Sequence, residues 1–523
     1  MVCLVAVIAP FLAGIINERM KMGISKSLYI NGMQCPKLLW LSKHRKGDEN
    51  VFAPNASLEA VFERGNEVGE LACELFKGGE RIEWEGTSFD EKIAKTKELI
   101  ERGVRYIYEA TFSFGDALIM VDILEVCADG SLVINEVKSS TSVSPVYMDD
   151  TAFQYFVLTS LGYNVKAVNL IHLNSEYVRG DELDLKALFA INDLTENAKE
   201  QFNNVRENIA HFERILEFPN EPECDIDMHC YEPYTCGAFE YCWAGVAQGS
   251  VFDIGSKLGV RFYKKDKFAL WHSGVKNIDD IKDISAFPAY QQIQLKAHKE
   301  KSRILNTDAV REFLSTLSYP LYHLDFETFQ SAIPLWRGAK PYEQTPFEYS
   351  LHIDKGDGSE PEHKEFLPTE FCDPRRALAL SLVRDIPKGV CSLAYNAQFE
   401  KGVLKRLAEL FPDLSEHLMD IHNNMKDLME PFAKRDFYDW RQNGSYSIKK
   451  IQPILAPSID DGYKAMASRG EISNGGEAMN TFPEFAKMNS EQIAKKRKEL
   501  LAYCGLDTLA MVKVLEGLKE LVK

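Results

Sequence analysis

The chain opens on an unbroken apolar run, Val2–Ile16, and mixed hydrophobic and polar patterning begins only after Met20 and Met22. A run of fifteen falls short of the roughly 20 apolar residues that span a bilayer. No basic residue precedes it, as a secretory signal would require. The true start is therefore expected at one of the two methionines, with residues 1–22 an apolar leader. Beyond it, Glu59–Phe76 carries helical spacing, with Leu71 and Leu75 among its apolar positions. Arg105–Phe112, Asp116–Val126 and Ser131–Lys138 read as successive strands, the last two joined by an Ala128-Asp129-Gly130 turn. A helix is expected over Asp150–Leu161 and a further strand over Val165–Leu173. Strands, a covering helix and another strand predict an α/β core within residues 23–245.

Residues 246–318 are polar and helical in pattern. Leu270–Ile281 has a faint likeness to half of a helix-hairpin-helix DNA-backbone binder, and a plain helix–turn–helix spacer is the expectation there. Residues 319–523 form a third block. It opens with a buried strand ending in acids, Tyr319–Glu327 (YPLYHLDFE). An apolar strand ending in Tyr395-Asn396 follows, then a helix through Val403–Phe411, and a last helix from about Ser490.

Composition narrows the class. At 523 residues, 45% hydrophobic and 27% charged, the chain has room for two or three globular domains. A net charge of −17 argues against a protein that coats nucleic acid non-specifically, but it suits clustered carboxylates beside a local basic groove. Eleven cysteines, an odd number in a large chain, do not fit a secreted disulfide framework. Four of them, Cys224, Cys230, Cys236 and Cys242, fall within nineteen residues. That reads as metal binding in a reducing, cytoplasmic setting.

Two acidic constellations carry chemistry. In the first, Glu136 and Lys138 sit at i and i+2 of one strand and share a face, and Asp122 lies in the strand before it. Two carboxylates hold a hard cation such as magnesium or manganese, and a lysine steadies charge developing on a phosphate. Gln154 and Tyr155 follow in the next helix, and Glu109 is a further candidate acid. The ordered set resembles the RecB-like branch of the PD-(D/E)XK nucleases. That resemblance implies a restriction-endonuclease-like fold, with Asp122, Glu136 and Lys138 as metal and catalytic residues and Gln154 in support. It departs at Phe62–Glu70, where many relatives carry a metal-binding histidine and this chain has none.

Cys230, Cys236 and Cys242 recur at six-residue intervals, without the paired C-x-x-C knuckles that zinc usually takes. One cysteine before the nuclease core (Cys35) and three after it resemble the iron–sulfur RecB-like nucleases, including CRISPR-adaptation and AddB-type enzymes. The resemblance implies a structural 4Fe–4S cluster on Cys35, Cys230, Cys236 and Cys242, with Cys224 competing for the place of Cys35.

In the second constellation, Asp325 and Glu327 share one face at a strand end, and Asn396 and Glu400 sit where a strand gives way to a helix. Tyr503 precedes Asp507 by one helical turn. Together these resemble the tyrosine-bearing DEDD 3′–5′ exonucleases on a ribonuclease H-like fold. On that resemblance Asp325, Glu327, Glu400 and Asp507 hold metal and Tyr503 orients the attacking water. Gly444–Lys450 (GSYSIKK) is similar to a stretch in some members, and Asp427 stands where an additional acid often falls. Glu400 departs from the family's usual aspartate. The combined expectation is a nuclease acting on DNA ends or single strands, RNA remaining open, with helicase or repair and defence proteins as partners and no membrane association. The alternative is an end-binding scaffold that does not cut.

Overall fold

The strand expected at Arg105–Phe112 runs Tyr106–Phe114 in the computed structural model, and those at Asp116–Val126 and Ser131–Lys138 run Ala117–Val126 and Leu132–Lys138. The structure describes residues 23–52, 56–83, 86–255 and 263–523. The expected leader, residues 1–22, lies outside them. The chain is mixed α/β, and two compact units divide it: residues up to 245 with 332–342, and residues 246–331 with 343–523. Among the described residues, no helix is long and apolar enough to cross a membrane.

In the first unit, β1 (Ile24–Ser25) leads into α1 (Lys26–Gln34) and α2 (Pro36–His44). Then come α3 (Ala56–Cys73), β2 (Glu80–Arg81), α4 (Phe89–Glu101), β3 (Tyr106–Phe114), β4 (Ala117–Val126) and β5 (Leu132–Lys138). They are followed by α5 (Pro145–Ser160), β6 (Val165–Leu173), β7 (Phe189–Asp193) and α6 (Thr195–Leu216). The sheet order is β2-β3-β4-β5-β6-β7, with β1 pairing β4. β5 and β6 run parallel because α5 crosses between them, as a βαβ connection requires. Phe153, Phe156 and Val157 of α5 and Phe212 of α6 bury against Val121, Ile134 and Val168 of the sheet. α5 begins five residues before the expected Asp150, because Pro145 occupies the first turn, where its missing N–H costs nothing.

The second unit holds α7 (Lys264–His272), α8 (Ala289–Glu300), β8 (Arg303–Leu305), α9 (Thr307–Ser315), β9 (Leu321–Phe329), β10 (Thr345–Asp354) and β11 (Glu362–Phe366). Next are α10 (Arg375–Asp385), β12 (Cys391–Ala394), α11 (Gln398–Leu410), α12 (Ser415–Asn424), β13 (Met425–Asp427) and β14 (Phe437–Asp439). The chain ends with α13 (Ile448–Leu455), α14 (Pro457–Ser468), α15 (Gly475–Glu484) and α16 (Ser490–Glu520). The main sheet runs β11-β10-β9-β12-β13, its first three strands antiparallel and β12 and β13 parallel to β9. One face of β9 and β10 (Tyr322, Leu324, Phe326, Tyr349, Leu351) packs on α10, α11 and α12. The other face meets α16: its C-terminal turns (Met511, Val514, Leu515, Leu518) cover Leu321, Cys391 and Leu393.

The segment expected as a helical spacer packs within this second unit. Leu270–Ile281 spans the end of α7 and one 3-10 turn, Ile278–Asp280, closed by a capping box between Asn277 and Asp280. It has no second helix and so is not a helix-hairpin-helix half. Gly444, from the GSYSIKK stretch, adopts φ +79°, and a Cβ there would stand 2.0 Å from the Asp253 carbonyl. Gly444→Ala is expected to cost about 2–3 kcal/mol through backbone strain and this clash. A urea midpoint equal to the parent's would contradict that.

Candidate metal and catalytic centres

Glu136, at the end of β5, is 1% exposed and surrounded by donors. Lys26 reaches its two oxygens at 2.8 and 3.0 Å, Lys138 at 2.7 Å and Gln154 at 2.7 Å. Lys138 also bridges to Asp150 at 2.6 Å, and Gln154 donates to Asp150 at 3.1 Å. Asp122 accepts the Val137 amide at 2.7 Å. Burial, reinforced by Asp122 and Asp150, pushes Glu136 up to about 7. For Asp150 burial acts upward too, but Lys138 and Lys26 hold it well below the ordinary carboxylate range. Burial disfavours the charge on both lysines, yet Asp150, Glu136 and Asp122 keep each firmly protonated. The first centre thus unites Asp122, Glu136, Lys138 and Gln154, and sets two lysines among its three carboxylates.

Sequence reasoning missed two members of this group. Asp150 had a signal, since it stands four residues before Gln154 on one helix face. Lys26 had none; it arrives from the start of α1, 110 positions from Glu136. Glu109 falls in the β3–β4 ladder between the pairs Tyr108–Ile123 and Ala110–Val121, opposite Asp122. Its backbone is left-handed at φ +62°, a conformation that costs a non-glycine residue about 1–3 kcal/mol. Burial raises its carboxyl, with Lys26 and Arg81 opposing.

The cysteines meet between the N-terminal helices and the segment after α6. Cys35, Cys224, His229, Cys230, Cys236 and Cys242 line one small cavity. Cys35 and Cys224 stand 3.7 Å apart, and the His229 Nε2 is 3.7 Å from the Cys224 sulfur. Cys35, Cys224 and His229 offer ligand atoms all within 4.8 Å of one another. A hydrogen bond with Cys224 lowers Cys35 to about 4, and bonds to Cys230 and Cys35 raise His229 to about 10. Gln34 ties the two segments further, donating to the carbonyls of His229 (2.8 Å) and Tyr234 (2.9 Å). Cys35 and Cys224 are both at the cavity, so they do not exclude each other, and His229 is a donor that the six-residue cysteine spacing did not reveal. Five thiols and one imidazole thus line the cavity, the donor types from which zinc or a 4Fe–4S cluster takes its four ligands.

The second centre differs in its electrostatics. Asp325, Glu327 and Cys504 offer ligand atoms within 4.8 Å of one another. Asp507, one turn after Tyr503 on α16, accepts the Tyr463 hydroxyl at 2.6 Å and a hydrogen bond from Tyr503. Glu400 lies in the first turn of α11, 3% exposed, and its Oε2 has no hydrogen-bond partner among the described residues. Burial first, then like charge, raises Asp325, Glu327 and Glu400 far above the carboxylate range: Asp507 acts on Asp325, Asp325 and Asp507 on Glu327, and Asp325 and Asp427 on Glu400. Burial likewise raises Asp507, against its two tyrosine hydrogen bonds and the distant charge of Lys449. Asp427 is engaged elsewhere, accepting the amides of Asn396 (3.0 Å) and Met429 (2.9 Å). Tyr463, on α14, is the member that sequence reasoning missed; no motif marks it. Buried carboxylates with an unpaired oxygen and no bonded lysine or arginine fit a hard divalent cation.

Known proteins add a likeness and no activity. The family model described as Domain of unknown function (DUF2779) matches residues 322–447, which include Asp325, Glu327 and Glu400 but not Tyr503 or Asp507. The chain is 24% identical over 412 residues to the uncharacterized protein MG366 of Mycoplasma genitalium, covering 70% of this chain and 59% of that one. It is 26% identical over 271 residues to the uncharacterized protein UU173 of Ureaplasma parvum, covering 48% and 38%. The chain thus spans three fifths or less of the length of these relatives.

Proposed function

We propose that this protein is a metal-dependent nuclease that hydrolyses phosphodiester bonds at ends or in single strands of DNA. The observation that carries the reading is the set of buried acids around Asp325, which bond no cationic side chain among the described residues. Three antiparallel strands followed by two parallel ones support a ribonuclease H-like fold for the second unit, as the DEDD resemblance implies. Asp325, Glu327, Glu400 and Asp507 would hold magnesium or manganese. Such a cation, when bound, neutralises phosphate charge and lowers the pKa of water. Tyr503, through its hydrogen bond to Asp507, positions the attacking water, and Tyr463 fixes the same carboxylate from a second helix. Attack on phosphorus breaks the bond to the leaving 3′ oxygen, which takes up a proton.

The first centre supports a PD-(D/E)XK reading on a restriction-endonuclease-like fold. Asp122 and Glu136 would serve as ligands, with Lys138 and Gln154 in support. One observation favours a second reading of this centre alone: Lys26 and Lys138 already neutralise Glu136 and Asp150. A centre that meets its buried carboxylates with its own lysines suits an end-binding scaffold that does not cut. The cysteine centre would hold a 4Fe–4S cluster as a structural staple of the first unit, next to the nuclease core. Helicase or repair and defence proteins, in a cytoplasmic setting, are the partners this reading implies.

Three outcomes follow. Because the folded protein holds the second-centre acids above their ordinary pKa, it binds more protons than the unfolded chain, and metal-free stability falls as pH rises from about 5 to 8. Manganese competes with those protons, so the rise in Tm that it causes is larger at pH 8 than at pH 5.5; at a hundredfold excess over Kd the stabilisation is about 2.7 kcal/mol. No cation-dependent shift at either pH would refute the site. On end-labelled single strands with manganese, Asp507→Asn should lose activity by at least the roughly 10–100-fold that a weakened metal site costs. Lys138→Ala tests the first centre in the same assay, and full activity in the double variant would end the nuclease assignment. The purified protein should carry about four irons and absorb near 400 nm, and Cys236→Ser should strip the metal and unfold the first unit. One zinc per chain instead would reassign the cofactor.

A further inference from the structure

The face between β9, β10 and α16 holds one carboxylate that the nuclease reading does not use. Glu348, in β10, pairs directly with Glu327 across the antiparallel ladder. It is 0% exposed, and neither of its carboxylate oxygens has a hydrogen-bond partner among the described residues. Its same-face neighbours on β10 are satisfied: Ser350 and His352 bond the Thr508 hydroxyl of α16 at 2.6 and 2.8 Å. Glu365, Asp325 and Asp507 act on Glu348 with like charge. The opposing charge comes from Arg497, whose guanidinium is bonded to the carbonyls of Leu367 and Pro368.

A carboxylate so enclosed is costly unless something positive reaches it. Directly opposed residues of an antiparallel pair have Cβ atoms about 4.5–5.5 Å apart. Two glutamates in that relation can bring oxygens to a single ion, since oxygen ligands sit roughly 2.0–2.6 Å from magnesium or calcium. Asp325, two residues before Glu327, projects from the same face of β9. The three carboxyls therefore share one face of two paired strands, and both Asp325 and, from the helix, Asp507 act on Glu348 across it.

We propose that Glu348 is a fifth metal-binding carboxylate of the second centre, paired with Glu327 and closing the cation site from the β10 side. The proposal rests on reading that centre as a divalent-metal site. An extra carboxylate of this kind supplies charge to the bound ion, so its removal weakens affinity while leaving the tyrosine-held water position intact.

Calorimetric titration of the full chain with manganese alone at pH 8 tests it, comparing the parent with Glu348→Gln, Glu348→Asp and Asp325→Asn. Glu348→Gln keeps the volume and removes the charge. It is expected to weaken manganese binding at least tenfold with an unchanged circular dichroism spectrum, and Asp325→Asn to abolish the second-centre isotherm. Parent-like affinity in Glu348→Gln beside a lost isotherm in Asp325→Asn would overturn the Glu348 assignment and leave the metal centre standing. Should Glu348→Gln fail to fold, Glu348→Asp decides: a shortened arm should weaken binding, and parent-like affinity would overturn the proposal. A parent that binds no manganese at the Asp325-dependent site would remove the underlying reading instead.

Discussion

Withdrawing a carboxylate from water costs several kcal/mol unless an opposite charge or enough donors replace the solvent, and both units are organised around that constraint. In the first, Glu136 receives two ammonium groups and an amide, and Asp150 shares them. The cost is offset inside the protein. In the second, burial raises every acid, Asp507 adds like charge to Asp325, Asp325 adds it to Glu327 and Glu400, and the donors available to Asp507 are two tyrosine hydroxyls. Hydroxyls orient a carboxylate without neutralising it. The two centres look alike as lists of acids and are opposite as electrostatic environments.

The fold produces this difference through what crosses each sheet. β5 ends beside α5, whose Asp150 and Gln154 lie one turn apart, and Lys26 at the start of α1 reaches the same point. β9 and β10 instead meet α16 along a face that changes character along its length. Leu321, Cys391 and Leu393 pack against Met511, Val514 and Leu518, and this apolar end anchors the helix. Anchoring there fixes the register one to two turns earlier, where Tyr503, Cys504 and Asp507 face Asp325 and Glu327. Stability at one end of the interface thereby holds like charges together at the other.

Much of this was legible in the sequence because it is local. A continuous apolar run located β9, apolar runs split by a turn located the strand pair that ends in Lys138, and helical spacing placed Tyr503 and Asp507 on one face. The glycine in GSYSIKK had a physical meaning as well, a close backbone approach at Gly444. What escaped was long-range. Lys26 and Tyr463 sit in segments with no motif, and tertiary packing alone brings them to Glu136 and Asp507. His229 was obscured for a related reason: cysteine spacing says nothing of an imidazole, whereas the cavity gathers donors by proximity, bringing His229 in beside Cys35 and Cys224. Charge balance, which separates the two centres, is a property of pairs distant in sequence, so it could not be read along the chain.

Anomalous diffraction from crystals soaked in manganese tests the central claim most directly, because it locates the cation without relying on turnover. The account predicts an anomalous peak enclosed by Asp325, Glu327, Glu400 and Asp507, whether or not a second peak stands at Glu136. A peak at Glu136 with Lys26 displaced, and none between β9 and α16, would contradict it.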